Sequence, residues 1–173
     1  MARSKPTTRR AHALQEVPLA TLLLDPNNFR FVDRSEYKNV EESKIAGAQV
    51  QRRALNLVLG PGQSNIVDLI DSFKANGWLP VDQIQVRKHS KGGYVVVEGN
   101  RRIATLKYLK AQYDQHEFDL GALSPTIFDR VPVVTYEDGD KVHYLKLMGL
   151  KHISGNLKWP PLNQAKLLLQ HLE

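Results

Sequence analysis

The stretch Tyr94-Val95-Val96-Val97-Glu98-Gly99-Asn100-Arg101-Arg102-Ile103-Ala104-Thr105-Leu106 decides the reading of this chain. Tyr94 to Val97 reads as a strand, Gly99-Asn100 turns the chain, and Ile103, Leu106 and Leu109 fall on one side of a helix. A strand that enters a tight Gly turn and then a helix start aims free backbone N–H groups at one point. The helix dipole adds partial positive charge there, so anions are favoured. Asn100 suits the N-cap, and Gly99 permits a ligand to approach the backbone closely. Arg101 and Arg102 stand in the first helical turn, where cations oppose the dipole. An anion gripped by both guanidiniums would offset that penalty. In the competing reading one arginine pairs with Glu98 or another carboxylate and the other is solvated. The motif alone leaves both open.

Upstream, Ile84 to Arg87 pairs as a hairpin with Tyr94 to Val97 around His89-Ser90-Lys91-Gly92-Gly93. Before it, Ile66, Leu69, Ile70 and Phe73 make one buried helical stripe, with Ser64 or Asn65 as cap and Gly77 at the C-terminal stop. Asp33 to Gly60 is polar, with helical spacing at Ile45, Ala48, Arg52, Leu55 and Leu59, and Gly60-Pro61-Gly62 ends it. Val17 to Leu24 reads as a strand closed by Asp25-Pro26-Asn27-Asn28. Downstream, Val131 to Tyr136 reads as a strand and Lys141 to Leu150 as a helix. A last helix from near Pro161 sets Leu162, Ala165, Leu169 and Leu172 on one face. It is still running at Glu173 without a Gly or Asn stop, which points to a longer protein.

With 173 residues and 42% hydrophobic content, the chain can bury one core, so one domain is expected. No stretch approaches the ~20 apolar residues of a membrane span, and no apolar run follows MARSKPTTRR as a signal peptide would need. The absence of Cys excludes disulfides, thiolate zinc sites and Cys nucleophiles; a cytoplasmic protein is the expectation. Of the formal charge of +6, Arg3, Lys5, Arg9 and Arg10 carry +4, leaving 20 basic against 18 acidic residues. Residues 1–13 therefore read as a flexible basic arm, either solvated or touching phosphate backbone in a salt-dependent way.

The ordered pattern NIVDLIDSFKANGWLPVDQIQVRKHSKGGYVVVEGNRRIATLKYL resembles the core of the ParB/sulfiredoxin superfamily: helix, Gly, apolar–Pro turn, strand, hairpin, Gly-Glu-Arg-Arg and helix. EVPLATLLLDPNNFR is similar to that family's opening strand and Asn-Pro-rich turn, RVPVVTYED to its next strand, and LKHISGNLKWPPLNQAKLL to its closing segment. The resemblance runs from Glu16 onward, with residues 31–62 as a helical insertion. It implies a small α+β domain with a mixed sheet flanked by helices: a core at 14–150 and a closing segment and helix at 151–173.

It also implies a nucleoside triphosphate ligand, with CTP favoured. Gly77, Trp78, Leu79 and Pro80 would line the base. Gly99, Asn100, Arg101 and Arg102 would hold the phosphates, with Arg30 as a further contact. Lys151, His152, Ser154 and Asn156 would close over them. Asn100 replaces the Glu of Gly-Glu-Arg-Arg, and Lys151-His152 replaces a Glu-Asn that would help hold Mg²⁺. Protonated Lys is no metal ligand, and His suits softer metals, so nucleotide binding is favoured over Mg²⁺-dependent hydrolysis. Sulfiredoxin chemistry is excluded, because it needs a Cys in this turn.

Glu98 is the candidate catalytic residue and metal ligand, as general base or Mg²⁺ contact; its alternative is a salt bridge to Arg101 or Arg102. Trp78 has two readings, a stacking platform for a base or a cap on the core. The expected function is a nucleotide-binding module of a longer bacterial or phage protein acting on DNA, nucleotide controlling closure, homodimerisation or DNA engagement. The alternative is a metal-dependent nuclease or triphosphatase built on Glu98, Arg101 and Arg102.

Overall fold

The computed structural model describes residues 13–116, 118–136 and 161–163, together with 165 and 169. The elements are β1 (Ala13–Val17), β2 (Leu22–Leu24), α1 (Ala48–Leu59), α2 (Val67–Asn76), β3 (Ile84–Lys88), β4 (Tyr94–Glu98), α3 (Asn100–Asp114) and β5 (Val131–Tyr136). They form an α+β domain on a five-stranded mixed sheet of order β1-β5-β3-β4-β2. β1–β5 and β3–β4 pair antiparallel, while β3–β5 and β2–β4 pair parallel.

The strand expected over Val17 to Leu24 is two strands. Pro18 lacks a backbone N–H, and Leu19–Thr21 forms a 3-10 turn between β1 and β2. These consecutive strands occupy the two edges of the sheet. A flat sheet of five strands spans about 19 Å edge to edge, more than one 3-10 turn bridges, so the sheet curls strongly.

One sheet face carries Leu22, Leu24, Ile84, Val86, Val96, Val131 and Val133 into the main core. There they meet Ile103, Leu106 and Leu109 of α3, all 0% exposed, the face that the helical spacing predicted. From α2, Ile66 at the N-cap and Phe73 join the core, while Ile70 packs at its margin. Ser64 and Asn65 do not cap α2: its N-cap is Ile66 and no side chain accepts there.

Residues 31–62, read from the resemblance as a helical insertion, pack into the core. Phe31, Ala54, Val58 and Leu59 pack in the main cluster, and Val40 and Ile45 cover Val95 on the other sheet face. Burying the Phe, Leu, Ile and Val side chains among them contributes roughly 1.5–3 kcal/mol each. The buried stripe of α1 is turned from the expected one, because Ala48 and Arg52 are exposed. Gln51 of α1 also closes the sheet edge. Its Oε1 accepts the Leu24 N–H at 2.8 Å and its Nε2 donates to the Leu24 carbonyl at 2.9 Å. One side chain thus supplies the pairing that a further strand would give. Near the C-terminus, residues 161–163 are helical; Leu162, Ala165 and Leu169 are exposed, and Asn163 is buried. No helix among the described residues is long and apolar enough to cross a membrane.

Candidate anion-binding site

β4 delivers the chain to Glu98, and Gly99 turns it at φ 98° into α3. A Cβ on Gly99 would stand 2.4 Å from Ile84 Cδ1. Glycine is favoured here by the left-handed backbone conformation, and a Cβ would also have to displace the tip of the Ile84 side chain, which its bare face meets. Gly99 is also the N-cap, in place of the expected Asn100. Asn100, 7% exposed, is a strut. Its Nδ2 donates to the Val96 carbonyl at 2.9 Å, and its Oδ1 accepts the Asp25 N–H at 3.0 Å. No side chain caps α3 and no acid lies in its first turn, so nothing from the helix itself offsets its positive end.

The arginines of that turn are engaged, in a way that neither sequence reading fully described. Arg101 donates from Nε to the Asn65 carbonyl at 2.9 Å and from Nη2 to Asp68 at 2.5 Å, which ties α3 to the start of α2. Its carboxylate partner is Asp68. Arg102 donates to the carbonyls of Asp82 and Leu79, both at 2.5 Å, and lies 4.3 Å over the Trp78 ring. Desolvation lowers its pKa. Trp78 in turn meets Phe73, ring centroids 5.6 Å apart, and its indole N–H is buried without a partner among the described residues. With Arg102 above and Phe73 beside it, Trp78 caps the core margin. On the face that Arg102 covers, a base could stack only after Arg102 moved.

Gly77 closes α2 at φ 69°, with the Ala122 carbonyl 2.9 Å from where a Cβ would stand, so its role in this geometry is packing. Leu79 and Pro80 are exposed. None of residues 77–80 lines the cavity described next.

That cavity, about 160 Å³, opens at the N-terminus of α3 and is lined in part by Asn28, Arg30, Asp82, Glu98 and Gly99 to Arg102. The structure thus brings Arg30, from a turn seventy residues earlier in the chain, to the turn that decided the sequence reading. Asn28 Oδ1 accepts the Arg30 N–H at 2.9 Å. The neighbouring Asn27 exchanges two 2.8 Å hydrogen bonds with the Val40 backbone, fixing the Asn-rich turn. The Arg30 guanidinium makes no hydrogen bond or ion pair with a described residue. Its pKa is lowered, first by desolvation and then by Arg101, while Glu98 acts in the opposite sense. Close by, burial pushes the Asp25 carboxyl up to about 6, against the Asn27 N–H and Arg87, which favour its charged form.

Glu98 lines the same cavity and faces Arg30 electrostatically. Among the described residues, no group of three or more His, Asp or Glu is assembled that could hold a metal. Lys151, His152, Ser154 and Asn156, residues 1–12 of the basic arm and the expected Lys141 to Leu150 helix lie outside the described residues, while Ala13 belongs to β1. Sequence reasoning missed Asn28 and Asn163 as partners of Arg30, and Asp68 and Asp82 beside the arginines. Asn28 had a signal, since Asn in a turn commonly bonds the backbone two residues on; Asn163 had none. Comparison with protein-family models, with curated proteins and with solved structures gives no match for this chain.

Proposed function

We propose that this chain is a ParB-like module that binds a nucleoside triphosphate, its phosphates entering the cavity at the start of α3. The observation that carries the reading is Arg30. A guanidinium that is partly desolvated, unpaired among the described residues and faced by Arg101 is costly unless an anion completes it. The uncapped first turn of α3 offers backbone N–H groups to the same space. A cavity of about 160 Å³ suits phosphate groups and not a whole nucleotide, since drug-sized ligands occupy ~300 Å³ or more. The base would then rest outside it, against the exposed Leu79–Pro80 turn whose Leu79 carbonyl Arg102 holds, with CTP favoured by the resemblance. In the same reading, nucleotide occupancy controls dimerisation or DNA engagement of a longer protein, with the basic arm adding phosphate contacts.

The test is calorimetric titration with CTP, ATP, GTP and inorganic tripolyphosphate, each with and without Mg²⁺. Binding of the nucleotides and of tripolyphosphate is expected, with the base adding selectivity. Absence of binding by all four would refute the reading.

A second reading, a metal-dependent phosphohydrolase, is favoured by one observation: Glu98 and Asp82 line the cavity together. Mg²⁺ is commonly held by one or two carboxylates plus substrate phosphates, and these two side chains are the ones that would hold it. Glu98→Gln separates the readings. Parental Mg²⁺- or Mn²⁺-dependent turnover that collapses in this variant, with the fold intact, would promote the enzyme.

A further inference from the structure

Arg30 is held from the far end of the chain. Asn163, 133 positions away, donates from Nδ2 to the Arg30 carbonyl at 3.0 Å and to Asp33 Oδ1 at 3.2 Å. Two acceptors around one nitrogen fix the orientation of the amide, because the flipped group would set oxygen against a carbonyl and a carboxylate. Asn163 is 0% exposed although its neighbour Leu162 is 53% exposed. Its Oδ1 is buried without a partner among the described residues. A leucine there would fill space without stranding a polar atom, so packing alone does not account for an amide.

On the other side of Arg30 stands Asn28, also buried, whose Oδ1 accepts the Arg30 N–H. Both backbone polar groups of Arg30 are therefore held by buried asparagine side chains, while its guanidinium has no described partner. A pinned backbone beneath a head group without a hydrogen-bond or ion-pair partner among the described residues suits a pre-organised ligand contact.

We infer that Asn163, with Asn28, is a positioning residue that pre-organises Arg30 for an anionic group of the ligand. Residue 163 then governs the affinity of a cavity that it does not line. This rests on the phosphate reading above and adds to it a remote determinant of affinity.

A double-mutant cycle on the full chain tests the inference, with inorganic tripolyphosphate and CTP as probes. Asn163→Leu removes both hydrogen bonds at similar volume. It is expected to weaken binding by about 2- to 12-fold in the parent, the equivalent of one net hydrogen bond. In an Arg30→Met background the same substitution should change nothing, since Asn163 acts through Arg30. Should Asn163→Leu fail to fold, Asp33→Ala removes one acceptor from an exposed residue; a loss of about 2-fold, again absent in the Arg30→Met background, is expected. Equal losses in both backgrounds, or no loss in the parent, overturn the positioning role and leave the phosphate reading standing. A parent that binds neither probe overturns the phosphate reading itself and this inference with it.

Discussion

Replacing Arg30 with Met should separate function from stability in opposite directions. Met keeps an unbranched stem for the half-buried position and removes the guanidinium. In the free protein that charge is partly desolvated, next to Arg101, and without a hydrogen bond or ion pair to a described residue. Its loss removes no hydrogen bond or ion pair with a described residue and trades the attraction of Glu98 against the desolvation cost and the repulsion of Arg101, so stability should hold or rise by up to about 1 kcal/mol. For a chain of this length such a rise is a Tm increase of roughly 2–4 °C. With ligand present the balance reverses. A charge-assisted hydrogen bond to phosphate contributes about 1.5–3 kcal/mol, so affinity for tripolyphosphate or CTP should fall about 10- to 150-fold. Thermal unfolding of the free protein and calorimetric titration at fixed salt give the two numbers. A variant destabilised by more than about 1 kcal/mol that binds as the parent does would make Arg30 a structural residue and refute the reasoning.

The Asp25 carboxyl, raised from 3.8 to about 6 by burial, binds its proton more tightly folded than unfolded. Stability should therefore fall as pH rises from about 4 to about 6, by ~1–3 kcal/mol, and stay level above. Urea unfolding of Asp25→Asn should lose that slope, and an unchanged slope contradicts the assignment. Glu42, lowered mainly by its hydrogen bond with Arg87, works in the opposite sense at lower pH, where its protonation removes stability. Gly99→Ala should cost roughly 2–4 kcal/mol from positive φ and the clash with Ile84 Cδ1. Ile84→Val, which lacks Cδ1, should recover part of that loss in the double variant, and strict additivity in urea titrations would argue against the clash. Arg102→Ala should uncover Trp78 and release the Leu79 and Asp82 carbonyls, costing about 1–3 kcal/mol. In a Trp159→Phe background its fluorescence should shift to the red, and unchanged emission and stability would contradict the clamp.

The parts of the fold that sequence made legible were governed by local chemistry. The Ile103, Leu106 and Leu109 stripe, the Ile84–Val97 hairpin and the stops at Gly60 and Gly77 all follow from spacing or from a φ that glycine tolerates. What stayed hidden is non-local. Nothing in Val17 to Leu24 tells that Pro18 sends the chain to opposite sheet edges, because the pairing partners lie in β5 and β4. How residues 31–62 pack was hidden too, because Gln51 serves as a surrogate strand and Val40 and Ile45 cover the reverse face, roles without periodicity. At the site, the Gly-x-Arg-Arg turn was visible, but the partners of its arginines were not. Asp68 and the carbonyls of Leu79 and Asp82 reach them only through tertiary packing. Asn100 matched the N-cap preference, yet its burial between Val96 and Asp25 made it a strut, and tertiary demand outweighed local propensity.

The most direct measurement of the central claim is amide chemical-shift mapping of the isotope-labelled chain during titration with CTP and with inorganic tripolyphosphate. The account predicts that the largest shifts fall on the N–H groups of Gly99 to Arg102 and on the Arg30 Nε–H, saturating together with one affinity. Saturable shifts confined to other surfaces, or none at millimolar ligand, would contradict it.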